Sequence, residues 1–221
     1  MMLRLLDERI TSPVETRVPT RQAVPTRTVV VRRGLDIPIA GVPTQRIDEA
    51  GPVIGTGNAG RFPGSSDRAA LVLLEEIVAS GKLNLDPSRN DFPVTLHDPC
   101  NVVRAMGIVE PQRRILRKIA PRFREMTPHG VENYCCGGGS GFAIMSGYNF
   151  QEWRVLVSSR KKFLQILEAF KDEPLEVPKY VCAPCSNCKG QMRDLLTYYD
   201  ARERCRILYG GLVELIANAM A

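Results

Sequence analysis

The stretch FPVTLHDPCN, residues 92–101, leads from an apolar segment directly to a cysteine. Its first residues, FPVTL, are apolar or β-branched, and with His97 they predict a short buried strand. The strand ends at Asp98-Pro99-Cys100, and Asp98 and Asn101 are expected to cap a short helix that follows. The stretch therefore predicts an α/β domain in which a strand end presents Cys100.

Apolar residues at helical or strand spacing recur through the rest of this region. The longest helical pattern covers 151–171 and places Trp153, Phe163 and Ile166 in the core. The other predicted elements are helices at 66–81, at 110–119, after Cys188 through Leu196 and at 212–220, and strands at 180–181 and 207–209. This alternation predicts a Rossmann-like parallel sheet with right-handed crossover helices. Ligands of such sheets bind beyond the carboxyl ends of the strands, so the cysteine loops are expected at one edge.

The first 65 residues have a different composition. They are rich in Pro and Thr, Val-Pro-Thr recurs at Val18, Val24 and Val42, and every basic residue is Arg. No sustained periodicity accompanies this composition, so we predict that 1–65 is extended or disordered and that 66–221 forms the folded cysteine-rich domain. Docking of the amino-terminal segment on a partner subunit is a second hypothesis.

Composition bounds the function classes. A chain of 221 residues with 44% hydrophobic residues can bury one core with an extension. The net charge is +6, but the basic residues are interleaved with acids and no nucleic-acid-binding motif is present. Because no apolar run approaches about 18 residues and no signal sequence begins the chain, we expect a cytoplasmic protein. The seven cysteines are odd in number and two are adjacent, which favours metal or redox chemistry over disulfides.

The cysteines fall in three ordered groups that offer thiolate ligands. Thiolates bind iron–sulfur clusters and zinc, and a site that joins distant groups must form by tertiary folding. Adjacent cysteines form a disulfide only with strain, and the glycines after them let the backbone approach a cluster and donate N–H groups to its sulfides. The predicted metal-binding and cofactor-binding residues are Cys100, Cys135, Cys136, Gly137, Gly138, Cys185 and Cys188. Cys182 is an alternative to Cys185, and that choice stays open.

Four further residues carry groups that could serve such a site. His97 ends the predicted strand three positions before Cys100 and is a candidate for hydrogen bonding or proton transfer, with a purely structural role equally open. Cys205 has no cysteine neighbour and is predicted to be a packing residue. Lys189 and Arg193 could offset the charge of a thiolate-ligated cluster, although a solvated helix face is the preferred interpretation.

Three motifs together resemble a known family. HDPCN at 97–101, NYCCGGGSG at 133–141 and CSNCKGQ at 185–191 are similar to the cysteine-rich CCG domain of heterodisulfide reductase-like subunits, especially those of membrane complexes in sulfate-reducing organisms. The resemblance covers 66–221. It implies that these cysteines hold a 4Fe–4S-type cluster, cubane or non-cubane, at which a thiol or disulfide substrate exchanges electrons.

The resemblance also implies partners. The ferredoxin-type cysteine motifs and the second cysteine-rich half usual in the family are absent from this sequence, so we expect electrons to come from other redox subunits. We therefore predict a redox subunit of an oxidoreductase complex rather than a stand-alone enzyme, with a position at the inner face of the membrane through a partner. A structural zinc-binding interaction domain is the alternative, and a metal-free dithiol oxidoreductase that uses Cys185 and Cys188 is the third hypothesis.

Overall fold

The structure is a computed structural model, and it describes residues 70–139 and 153–220. The predicted extended segment 1–65 lies outside these residues, as does the predicted start of the first helix. The domain boundary near residue 66 therefore stays a prediction.

A parallel sheet of four strands forms the centre of the fold. The strands are β1 (Val94–Leu96), β2 (Phe123–Arg124), β3 (Lys179–Cys182) and β4 (Ile207–Gly210), and their order is β2-β1-β3-β4. Each neighbouring pair is parallel. The predicted α/β architecture is confirmed.

Helices cover both faces of the sheet. They are α1 (Ala70–Ala79), α2 (Pro111–Ile119), α3 (Arg160–Ala169), α4 (Ser186–Tyr198), α5 (Ala201–Cys205) and α6 (Leu212–Ala219). Short 3₁₀ turns lie at Pro87–Asn90 and Gly130–Glu132, and π-helical turns lie at Asn101–Ala105 and Arg154–Ser158. Among the described residues, none of these helices has the length and apolar character needed to cross a bilayer.

Alternation along β1 divides the core into two layers. Val94 and Leu96 point to the face covered by α1, α2 and α6, where they pack with Ile115 and Leu212. Because side chains alternate across a strand, Thr95 and then His97 point to the opposite face. That face is covered by α3, α4 and α5, and its core includes Phe163, Leu195 and two cysteines, Cys136 and Cys188.

The strand order creates a crevice between β1 and β3. The chain leaves β1 towards β2 and leaves β3 towards β4, in opposite directions across the sheet. Such a switch of direction opens a binding crevice at the carboxyl ends of the two strands. The two ends are tied together there, since the His97 N–H donates to the Cys182 carbonyl at 2.8 Å. Both the Cys100 loop and the Cys185/Cys188 segment leave from this point.

Two sequence-based expectations were wrong. Trp153, predicted in the core of a helix over 151–171, has 55% of its surface exposed. The reason is the π-helical turn Arg154–Ser158 before α3, which breaks the 3.6-residue periodicity on which the prediction relied. Asp98 and Asn101 do not cap a helix, because Asn101 is itself the first residue of the π-helical turn and the Asp98 carboxylate is buried against Arg113.

Candidate metal centre

Two buried thiols meet at the carboxyl end of β3. The sulfur atoms of Cys136 and Cys188 lie 3.4 Å apart, and both side chains are almost fully buried. Hydrogen bonds from Cys135 and then Cys188 lower the pKa of Cys136, which favours the thiolate form of this sulfur. A thiolate in this protected position is a donor suited to a metal.

The remaining thiols of the predicted set surround this pair at greater exposure. Cys185 is half-buried, and a hydrogen bond with Cys188 lowers the pKa of Cys185 to about 6. Cys100 and Cys135 are exposed. The hydrogen bond with Cys136 raises the pKa of Cys135, and the charge of Cys100 acts in the same direction. The five cysteines therefore form an inner pair and an outer rim.

The glycines after Cys136 shape the loop that carries the inner thiol. Gly137 has a φ of +83°, and a Cβ there would lie 2.7 Å from the Ser158 hydroxyl, so glycine is required for both conformation and space. Gly138 has no positive φ, and its N–H donates to the Cys136 sulfur at 3.3 Å. The Gly137 N–H donates to the Cys135 sulfur at the same distance. These N–H groups would stabilise negative charge on the two adjacent sulfurs.

The loop is held by the segment between the π-helical turn and α3. The Ser159 hydroxyl donates to the Cys136 carbonyl at 2.6 Å, and the Ser158 hydroxyl donates to the Gly137 carbonyl at 3.1 Å. The side-chain amide of Gln191 in turn donates to the Ser159 hydroxyl. Since Gln191 is on the same helix as Cys188, this chain of hydrogen bonds fixes the two inner cysteines relative to each other.

The two other cysteines lie away from the inner pair. Cys182 is buried in the opposite core layer with Leu96 and Leu212, because it alternates with Val181 and Ala183 along β3. Burial raises the pKa of Cys182, so it is a neutral thiol. Cys205 is fully buried at the end of α5, in agreement with a packing role.

A buried lysine that sequence analysis missed approaches the site. Lys162 is fully buried, donates to the Asn133 side-chain oxygen at 2.6 Å and also contacts Gln165. Burial lowers the pKa of Lys162 to about 7, while the charges of Asp98 and of the site cysteines act in the opposite direction. A negative group bound at the cysteines would keep this amine charged. The sequence already indicated that Lys162 is buried, because it lies four positions before the core residue Ile166 and therefore on the same helix face.

The surface cations considered from the sequence have other partners. Lys189 forms an ion pair with Glu214, and Arg193 forms one with Asp194 at 2.9 Å. The buried positive charge near the thiols therefore comes from Lys162 on α3 and not from these residues of α4.

Asp98 anchors the loops that carry the outer thiols. Its carboxylate accepts two hydrogen bonds from Arg113, at 2.8 and 2.5 Å, and a third from the Gly130 N–H at 2.6 Å. Burial raises the pKa of Asp98, but the hydrogen bond and charge of Arg113 outweigh it and hold that pKa below its usual value. The Asn133 amide donates to the Asp98 carbonyl at 3.3 Å, which joins the loop before Cys100 to the loop before Cys135.

His97 faces the inner pair, where its ring interacts with the Cys136 sulfur. Its side chain is 1% exposed, and neither nitrogen has an aligned hydrogen-bond partner among residues 70–139 and 153–220. One of its nitrogens and the sulfurs of Cys136 and Cys188 all lie within 4.8 Å of one another. Burial lowers the pKa of His97, while its interactions with Cys136 and Asp98 act in the opposite direction.

This arrangement fits a thiolate-ligated metal group. Soft sulfur donors from two segments meet at Cys136 and Cys188, backbone N–H groups point at the sulfurs of Cys135 and Cys136, and a buried amine lies nearby to balance negative charge. The fold and the site therefore define a class of protein: a cysteine-rich α/β domain whose thiols, at the carboxyl end of a parallel sheet, are suited to bind a metal group.

Comparison with known proteins identifies the domain. Residues 94–193 match the family model described as CCG, the cysteine-rich domain, and this part of the chain is a CCG cysteine-rich domain. The match includes all five cysteines of the inner pair and outer rim. The resemblance seen in the sequence is confirmed.

Three relatives illustrate the similarity. The chain is 28% identical over 153 residues to the Hdr-like menaquinol oxidoreductase iron-sulfur subunit 2 of Archaeoglobus fulgidus and 31% identical over 158 residues to the Hdr-like menaquinol oxidoreductase iron-sulfur subunit of Archaeoglobus profundus. Each alignment covers 68% of this chain and 26% of the relative. One component of the dihydromethanophenazine:CoB–CoM heterodisulfide reductase of Methanosarcina acetivorans is 38% identical over 69 residues, or 31% of this chain and 17% of its own length. No solved structure matches the chain significantly.

Proposed function

We propose that this domain is an iron–sulfur electron-transfer module of a heterodisulfide reductase-like oxidoreductase complex. The observation that carries the proposal is the 3.4 Å contact between the buried sulfurs of Cys136 and Cys188 at the crevice of the sheet. The names of the relatives, which belong to such oxidoreductases, support the same assignment. The chain spans about a quarter of the length of the first two, so their substrates and partners extend to it only as part of this proposal.

Five thiols would hold the cluster. Cys136 and Cys188 would bind it from the buried side, and the more exposed thiols would complete the ligand set: Cys100, Cys135 and Cys185. Five donors exceed the four that a cubane requires, which favours a non-cubane 4Fe–4S cluster or a ligand that is released. When bound, the cluster would supply one-electron oxidation and reduction. The residues around it would exclude water from the inner sulfurs and balance their charge.

The exposed rim indicates where partners would approach. Cys100 and Cys135 are accessible, whereas the inner pair is not. A thiol or disulfide substrate, or a quinone-linked redox subunit, would therefore exchange electrons at this rim. Other subunits of the complex would deliver the electrons, and a membrane-bound partner would place the domain at the inner face of the membrane.

Metal analysis of the anaerobically purified chain tests the proposal. We expect iron and acid-labile sulfide in comparable amounts, a brown colour and an electron paramagnetic resonance (EPR) signal in one oxidation state. Cys136→Ala should lose them, whereas the matched variant Cys205→Ala, which removes another buried thiol from the same core layer, should retain them. A colourless protein without iron or sulfide would overturn the proposal.

The same preparation separates the alternatives. Stoichiometric zinc without sulfide would indicate the structural zinc domain. A metal-free protein that catalyses thiol–disulfide exchange in both the parent and the Cys135→Ala variant would indicate a dithiol oxidoreductase that uses Cys185 and Cys188.

A further inference from the structure

We propose that His97 contacts the metal group directly through a ring nitrogen, as a nitrogen donor beside the thiols of Cys136 and Cys188. The inference rests on the proposed function for the presence of a metal group. It adds a nitrogen ligand to the predicted set of thiol ligands.

The first observation is that the imidazole lacks a well-aligned hydrogen bond. A buried polar group without a hydrogen bond costs free energy, and folded proteins rarely leave one in place. His97 has two such nitrogens at 1% exposure within the described parts of the chain. A structural histidine would instead be satisfied by a backbone carbonyl or a carboxylate, as the buried Asn90 is by the carbonyls of Ile119 and Leu215.

The second observation is the direction in which the ring points. His97 follows β1 directly and alternates with Leu96, so it lies on the face of the sheet that carries the inner thiols. Its hydrogen-bonded backbone fixes this orientation, since the His97 N–H donates to the Cys182 carbonyl. The ring nitrogen and the two inner sulfurs lie within 4.8 Å of one another, a spacing suited to donors that share a metal group.

The carboxylate next to His97 in the chain is already engaged. Asp98 accepts two hydrogen bonds from Arg113 and a third from the Gly130 N–H. A neutral imidazole offers both a lone pair for a metal and an N–H for a sulfide. Either contact would satisfy a nitrogen that the protein leaves without an aligned partner.

Isotope labelling provides a direct test, because the chain contains only two histidines. The protein is labelled with ¹⁵N-histidine, reconstituted anaerobically with iron and sulfide, and examined by pulsed EPR in its paramagnetic state. The matched control is His129→Gln, which removes the exposed second histidine and leaves His97 as the only labelled residue.

We expect a ¹⁵N hyperfine coupling in the parent and in His129→Gln. In His97→Leu the coupling should be absent and iron should be lost to a chelator about ten times faster than in the parent. A cluster without this coupling in His129→Gln would overturn the inference and leave the proposed function intact.

A parent without iron or sulfide would overturn the proposed function instead. Titration of the metal-free chain with cobalt(II), followed by its absorption spectrum, would then decide the inference. A cobalt absorption spectrum that changes in His97→Leu would support it, and an unchanged spectrum or no cobalt binding would overturn it.

Stability of the metal-free protein gives a readout that no cluster influences. If His97 serves a bound group, replacing an unsatisfied imidazole with an apolar side chain should leave the urea midpoint of the metal-free chain unchanged or raised. A His97→Leu variant that unfolds at clearly lower urea would show that the imidazole is structural, which contradicts the inference.

Discussion

The sulfur atoms of Cys136 and Cys188 lie 3.4 Å apart although 52 positions separate the two residues in the chain. One is on a glycine-rich loop and the other is in the first turn of α4. Their contact depends on the Ser159 hydroxyl, which receives a hydrogen bond from the Gln191 amide and donates one to the Cys136 carbonyl. A site made in this way is sensitive to changes in the residues that support it, as the following predictions describe.

Cys182→Ala and Cys185→Ala should separate the two candidate ligands in this part of the chain. Cys185 faces the inner pair, and Cys182 is buried in the opposite core layer. We expect Cys185→Ala to reduce the iron content of the reconstituted protein strongly. Cys182→Ala should keep its iron and lose about 1 kcal/mol of unfolding free energy. The reverse pattern of iron contents would assign the ligand to Cys182.

Gly137→Ala should damage the loop more than the left-handed conformation alone requires. An L-residue at positive φ costs roughly 1–2 kcal/mol, and here the new Cβ would also crowd the Ser158 hydroxyl. Gly81→Ala is the matched control, because Gly81 has a φ of +71° with open space around it. Both variants should be destabilised in urea, but only Gly137→Ala should lose iron. Equal iron contents in the two variants would contradict this account of the loop.

Lys162→Met should make the cluster harder to reduce. Removing a buried positive charge near an anionic group disfavours the added electron, and the expected change in midpoint potential is negative, on the order of 100 mV or less. Potentiometric titration followed by EPR measures it. The matched control is Lys179→Met, since Lys179 is also fully buried but donates to backbone carbonyls such as that of Val177 at 2.8 Å. The control should lose stability without a shift in potential, and similar shifts in both variants would argue against an electrostatic role.

Asp98→Asn should destabilise the fold substantially. The Asp98 carboxylate is the buried partner of Arg113, and breaking a buried pair costs about 3–5 kcal/mol. Arg113 keeps its contact with the partly exposed Glu125, so we expect the lower end of this range. Glu125→Gln removes the other carboxylate that contacts Arg113 and should cost about 1 kcal/mol or less, because the Glu125 side chain is 25% exposed. Urea unfolding of the two metal-free variants compares them. Losses of equal size would show that Arg113 does not depend on Asp98.

Much of the fold was predictable because its signals are local. The strand within 92–97 and the strand at 207–209 appear close to their predicted positions, since short apolar runs between turn residues are typical of buried parallel strands. The error at Trp153 arose where a π-helical turn shifts the helix phase, and no local pattern announces such a shift.

The chemical identity of the candidate site was also in the sequence, whereas its geometry was not. Adjacent cysteines followed by glycines, with single and paired cysteines elsewhere, indicate a thiolate site whatever the fold. The surroundings of His97 and Lys162 depend on segments remote in the chain. Helical spacing places Lys162 on the buried face of its helix, but no periodicity could foresee that its amine lies near thiols or that the His97 ring lacks an aligned partner.

The sequence by itself determined most of the helices and strands, although not the strand Phe123–Arg124 or the helix Ala201–Cys205, and the cysteines available as donors. Propensity, periodicity and thiolate chemistry are properties of short segments. Only the tertiary structure decided that Cys185 and not Cys182 faces the inner pair, and that His97 and Lys162 adjoin it. The physical reason is that a residue's face depends on the pleat and register of its strand, and its burial on packing between distant segments.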